Sequence, residues 1–74
     1  MRLPHVDDVV RLTQDLPEKR LQRGDVGIVC ATWFAPMQAY EVEFAPPGLD
    51  GQTRAILLAE QLQVEEGMAS VQSI

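Results

Sequence analysis

The clearest pattern in the chain is the five-residue alternation Tyr40-Glu41-Val42-Glu43-Phe44. A period of two over this length predicts a strand with Tyr40, Val42 and Phe44 directed inward and Glu41 and Glu43 in solvent. Upstream, Val26-Gly27-Ile28-Val29-Cys30-Ala31-Thr32-Trp33 reads as a second β run. Within it Val26, Ile28 and Cys30 share one face, and the pattern assigns that face to the core. Gly27 inside the run marks a bulge or a close backbone approach, as at the tight corner of a small barrel. Residues 26–33 and 40–44 are expected to pair antiparallel, with Val26, Ile28, Val42 and Phe44 buried.

The remaining elements follow from weaker signals. Val6 to Leu16 fits two periods: Val6, Val9, Val10, Thr13 and Leu16 suit a helix, whereas Val10, Leu12 and the β-branched content suit a strand. Because the rest of the chain reads as β, a strand over residues 8–14 is expected. Pro17 directs Leu16 toward an extended or turn conformation. Leu21 to Asp25 is a turn centred on Gly24, and Pro46-Pro47-Gly48-Leu49-Asp50-Gly51 is a loop of turn residues. Thr53 to Leu58 is the next strand, Ala59 to Leu62 a single helical turn, and Gln63 to Glu66 a short last strand. Gly67 to Ile74 carries no clear signal and reads as a frayed tail. Together these predict an all-β fold: a small five-stranded barrel, closed or nearly so, with one short helical turn before the last strand. Closure would remove the unpaired edges of an open five-stranded sheet.

Composition narrows the classes. The chain has 74 residues, which is room for a single domain, with the barrel spanning about 6–66 and a tail over 67–74. Hydrophobic residues make up 46% and charged residues 23%, the balance of an ordinary globular protein and not of a disordered or collagen-like one. No apolar run approaches the roughly 18 residues that a membrane helix needs, and the N-terminus lacks the apolar stretch of a secretion signal. Six basic against eleven acidic side chains leave a net charge of −5, which argues against non-specific nucleic-acid binding and against an anionic lipid surface. The charge is uneven: residues 1–24 hold five basic and four acidic groups, residues 25–74 one basic and seven acidic. One cysteine, Cys30, allows neither an internal disulfide nor a thiolate zinc cage, and it fits a reducing cytosol, so a cytoplasmic protein is expected. So short a chain without such a staple has a thin margin of stability, which brings a partner or a second copy into consideration.

The residues Leu16-Pro17-Glu18, Leu21, Arg23-Gly24-Asp25-Val26-Gly27-Ile28-Val29, Tyr40-Glu41-Val42-Glu43-Phe44, Thr53, Ala55 and Leu62 resemble a widespread bacterial family of small uncharacterised proteins, a domain of unknown function. The resemblance covers about residues 6–66. It implies an SH3-like barrel, related in pattern to the KOW motif of transcription and ribosomal proteins and to the barrel of nitrile hydratase β-type subunits. Members of the family are often encoded beside other small proteins, some resembling toxin–antitoxin or immunity pairs. Two segments depart from the family pattern: Ala31 to Ala39 is longer and more apolar than the usual hairpin, and Ala45 to Gln52 carries Pro46-Pro47. Loops carry recognition in such barrels, so both departures bear on the partner.

Candidate chemistry is sparse. His5 with Asp7 and Asp8 gives one imidazole and two carboxylates where a transition metal wants three or four convergent ligands, so no metal is expected. Cys30, placed mid-strand with Val26 and Ile28, reads as a buried structural thiol. Serines occur only at Ser70 and Ser73, no Ser/His/Asp or Cys/His set can be assembled, and Gly24-x-x-Gly27 is a turn signature and not a phosphate loop. No catalytic residue and no cofactor are therefore expected. Trp33, Phe34, Pro36 and Met37 sit where one strand gives way to the next, and alternation cannot point them all inward. Trp33 can close one end of the barrel, which leaves Phe34 and Met37 at the surface as an interaction contact. The expected function is a non-enzymatic protein-interaction module — an adaptor, accessory subunit or antitoxin-like inhibitor — that binds a protein partner or a second copy through Trp33, Phe34, Met37, Glu41 and Glu43. The alternative is a KOW-like nucleic-acid-binding barrel that uses the basic cluster Lys19, Arg20 and Arg23, which Glu18 and Asp25 partly cancel.

Overall fold

The structure, a computed structural model, describes residues 2–45 and 51–66. Most of the Pro46–Gly51 turn run and the expected tail over 67–74 lie outside these. Five strands follow in chain order: β1 (Val9–Leu12), β2 (Val26–Trp33), β3 (Ala39–Phe44), β4 (Thr53–Leu57) and β5 (Leu62–Val64). They form one antiparallel sheet in the order β4-β3-β2-β1-β5. The expected all-β fold, its five strands and the helical turn before the last of them are all present. That turn is a 3-10 turn at Ala59–Gln61, with the Gln61 side chain accepting a hydrogen bond from the Leu58 backbone N–H at 2.8 Å. Among the described residues no ladder joins β4 to β5, so the sheet is not closed.

The sheet buries its own inner face. Val10, Leu12, Val29, Tyr40, Val42, Phe44, Ala55, Leu57 and Leu62 belong to one core cluster to which all five strands contribute. Val10, Val29 and Val42 have no exposed surface at all, and no helical layer is present among the described residues to cover them. The inner-face side chains of the five strands instead cover one another in a single cluster, an arrangement that the right-handed twist of antiparallel sheets permits. Leu16 and Leu21 complete the core. They exchange backbone hydrogen bonds at 2.9 and 3.1 Å around a second 3-10 turn at Pro17–Lys19. Leu16 is extended (φ −128°, ψ 78°), as the following proline requires. β1 is shorter than the 8–14 span expected, because Thr13 leaves the ladder to hydrogen-bond Gln61 and Glu60.

The pairing of β2 with β3 is antiparallel as expected, and Val42 and Phe44 are buried. The face of β2 is the reverse of the expectation. Val26 and Ile28 are exposed, whereas Gly27 and Val29 point inward. The reason is steric: a Cβ at Gly27 would lie 2.7 Å from the Glu43 carbonyl oxygen and 2.8 Å from both Phe44 Cδ1 and Val42 Cγ1. Gly27 thus makes the close approach that its position suggested, and Phe44 fills the space of the missing side chain. The bulge lies three residues further on. The register runs Val29↔Val42 and then Ala31↔Glu41, so Cys30 is the extra residue. Cys30 is accordingly half-buried on the outer face and not in the core, with Sγ 3.8 Å from Glu43 Oε1. Past the bulge the phase inverts, and Thr32, opposite Tyr40, takes the inward side.

Candidate interaction surface

The outer face of β2, β3 and β4 brings together residues that are distant in sequence. Because directly opposed residues share a face, the register Glu41↔Ile56 and Glu43↔Arg54 places Ile56 and Arg54 on the outer side with the two glutamates. Trp33↔Ala39 does the same for the tryptophan. At one end of this face, Trp33, Ala35, Pro36, Met37, Ala39 and Ile56 line a shallow apolar groove of about 240 Å³. Ile56 is 65% exposed, Met37 59% and Phe34 74%. Trp33 does not close the sheet's end: about half of it is exposed. Ala39 is buried although it lies on the outer side, since the groove's large side chains cover it.

Glu41 and Glu43 are not a free acidic row. Arg54 donates to Glu41 Oε2 at 2.8 Å and pairs with Glu43 Oε1 at 3.0 Å. These carboxylates hold the guanidinium above its ordinary pKa, Glu41 through the hydrogen bond and Glu43 through its charge. On the other side of this ion-pair cluster, Val9, Val26, Ile28 and Cys30 line a second groove of about 430 Å³. The outer face is therefore two apolar patches separated by one compensated charge cluster.

The basic cluster stands elsewhere. Lys19, Arg20 and Arg23 are exposed around the Pro17–Lys19 turn and the Gly24 turn. The Arg23 backbone N–H donates to Asp15 Oδ1 at 2.8 Å, and the Gln22 N–H to Asp25 Oδ2 at 2.9 Å, so two carboxylates are built into the same loop. His5 and Asp8 are joined through the His5 backbone N–H, which donates to Asp8 Oδ2 at 2.6 Å, and not through the imidazole. Among the described residues no three His, Cys, Asp or Glu side chains converge as metal ligands would. Among the described residues no helix is long and apolar enough to cross a membrane.

Of the exposed apolar side chains, sequence reasoning named Trp33, Phe34 and Met37 as contact residues and did not name Ile56, Val26 or Ile28. The partner of a strand residue across the sheet depends on register, and nothing local in Thr53–Leu57 announces that Ile56 faces Glu41. A model of the family described as Domain of unknown function (DUF4926) matches residues 7–65. No curated protein and no solved structure matches the chain.

Proposed function

We propose, for a chain that belongs to the DUF4926 family of domains of unknown function, a non-enzymatic role in which the outer face of the sheet docks a protein partner. The observation that carries this reading is the groove lined by exposed Trp33, Met37 and Ile56 at one end of that face, with exposed Phe34 next to Trp33 in the chain. Apolar and aromatic groups gathered in this way gain by desolvation against another surface, and such clusters are where interface energy concentrates. The compensated cluster of Arg54, Glu41 and Glu43 would form a polar rim that fixes orientation. The strand order and the 3-10 turn before β5 support the finer architectural reading, an SH3-like, KOW-related barrel; the role proposed for it is that of an adaptor, accessory subunit or antitoxin-like inhibitor.

The test is the double variant Phe34→Ser/Met37→Ser, assayed for self-association by sedimentation and for capture of protein from an extract of the native host. Expected is an association of the unaltered protein that the variant loses while its melting curve is unchanged. Association that survives in a folded variant, or unfolding of the variant, would overturn the reading. A low-salt mobility shift with mixed RNA that disappears when Lys19, Arg20 and Arg23 are neutralised would favour the nucleic-acid alternative instead.

A further inference from the structure

The one buried side-chain oxygen or nitrogen without a hydrogen-bond partner among the described residues is the hydroxyl of Tyr40. Tyr40 is 1% exposed and is among the residues that line a groove of about 320 Å³ on the opposite side of β3 from the apolar face described above. Leu3, Pro4, Val6 and Phe34 supply its apolar wall. Thr32, Gln38 and His5 add polar groups. No lining side chain is a carboxylate, ammonium or guanidinium, so a charged ligand would lose its hydration with no counter-charge to replace it. The backbone that carries Leu3, Pro4 and Val6 is held in place: Arg2 pairs with Asp8 at 2.7 Å and also with Glu66, and the Asp7 backbone N–H donates to the Val29 carbonyl at 2.8 Å. A held, mostly apolar recess with a few polar groups is the usual form of a small-molecule site.

We propose that this groove binds a small uncharged molecule with a flat apolar body and one carbonyl, the body against Phe34, Leu3 and Val6 and the carbonyl oxygen accepting from the Tyr40 hydroxyl. That hydroxyl is shut from solvent, so the rim must yield to admit the ligand. Phe34, the most exposed lining side chain at 74% and outside the core cluster, has the room to turn aside. The inference is independent of the interaction surface and shares only Phe34 with it.

The experiment is a titration of the isotope-labelled protein, followed by NMR, with benzamide and separately with benzoate, its charged counterpart. Expected are saturable shifts at Leu3, Val6, Thr32, Phe34 and Gln38 with benzamide and none with benzoate. Tyr40→Phe keeps the ring and should weaken benzamide by about tenfold, the loss of one well-placed hydrogen bond. Val6→Asp, which puts a charge into the wall at an exposed position, should abolish binding. Shifts that fail to saturate or map elsewhere, or equal binding by folded Tyr40→Phe, would overturn the proposal. Should Tyr40→Phe not fold, Val6→Asp decides, and benzamide binding as in the unaltered protein would overturn it. Tighter binding of N-acetyl-phenylalaninamide than of benzamide would overturn it in favour of a partner's side chain.

Discussion

Gly27 lies directly across the β2–β3 ladder from Phe44, and the ring occupies the volume in which any side chain at position 27 would begin. Tight packing of this kind turns one hydrogen atom into a determinant of which face β2 presents to the core.

Gly27→Ala should therefore destabilise the protein by about 1–3 kcal/mol, since two of the three clashing groups are core side chains and the third is backbone. Urea denaturation with an unchanged slope would report it. A variant as stable as the parent would mean that the β2–β3 approach is looser than 2.7 Å implies.

Gly24 contrasts with it. Its φ is 95° and a Cβ there would meet nothing within 4 Å, so Gly24→Ala is opposed by backbone conformation alone. The expected loss is about 1 kcal/mol, and Gly24→Asn should lose less, because asparagine tolerates left-handed backbone better. Equal losses for Ala and Asn at this turn would contradict the assignment.

The inverted face of β2 predicts an asymmetry between neighbours. Ile28→Ser, on the outer face, should change stability by no more than about 0.5 kcal/mol. Leu12→Ala, in the core, should lose about 2–5 kcal/mol. Melting of the two variants side by side decides it; a severe loss at Ile28 would restore the inward reading of Val26 and Ile28.

Acid stability should depend on Asp8. Hydrogen bonds from Arg2, and to a lesser extent from the His5 backbone N–H, hold its carboxyl below the usual carboxylate range against the opposing effect of burial. A depressed native value means that the contribution is complete above the unfolded value of about 3.9 and is lost as pH falls through the native one. The stability difference between the parent and Asp8→Asn should accordingly be constant near neutrality and shrink at low pH. An NMR titration that finds Asp8 at or above the usual value, or a difference that does not vary with pH, would contradict this.

The sequence was most legible where its two faces differ. In Tyr40–Phe44 every second residue is a carboxylate or a large apolar group, and the observed burial follows that alternation. β2 offers no such contrast, since Val26, Ile28 and Cys30 oppose Gly27, Val29 and Ala31, and both sets are apolar. Choosing the larger set for the core follows from burial energetics, but the space across the ladder was already taken by Phe44. The loop residues Phe34 and Met37 were identified as surplus to the interior, and the structure leaves them exposed, together with Trp33, which had been expected to close one end. Their neighbour Ile56, the ion pairs from Arg54 to Glu41 and Glu43, and the partnerless Tyr40 hydroxyl all depend on cross-strand register, which no local pattern carries.

The extra residue at Cys30 has a consequence for how this chain can vary. Upstream of it the odd-numbered positions of β2 serve the interior, and downstream the even-numbered Thr32 does. An inserted residue of this kind shifts the numbering of the pleat by one while the two faces of the strand stay where they were. Deleting Cys30 would join Val29 directly to Ala31 and leave the ladder in regular register, with Val29 and Thr32 still inward and Ala31 and Trp33 still outward. The strand can therefore lose a residue at this point without exchanging its faces, at the cost of the local bend and added twist that a bulge supplies.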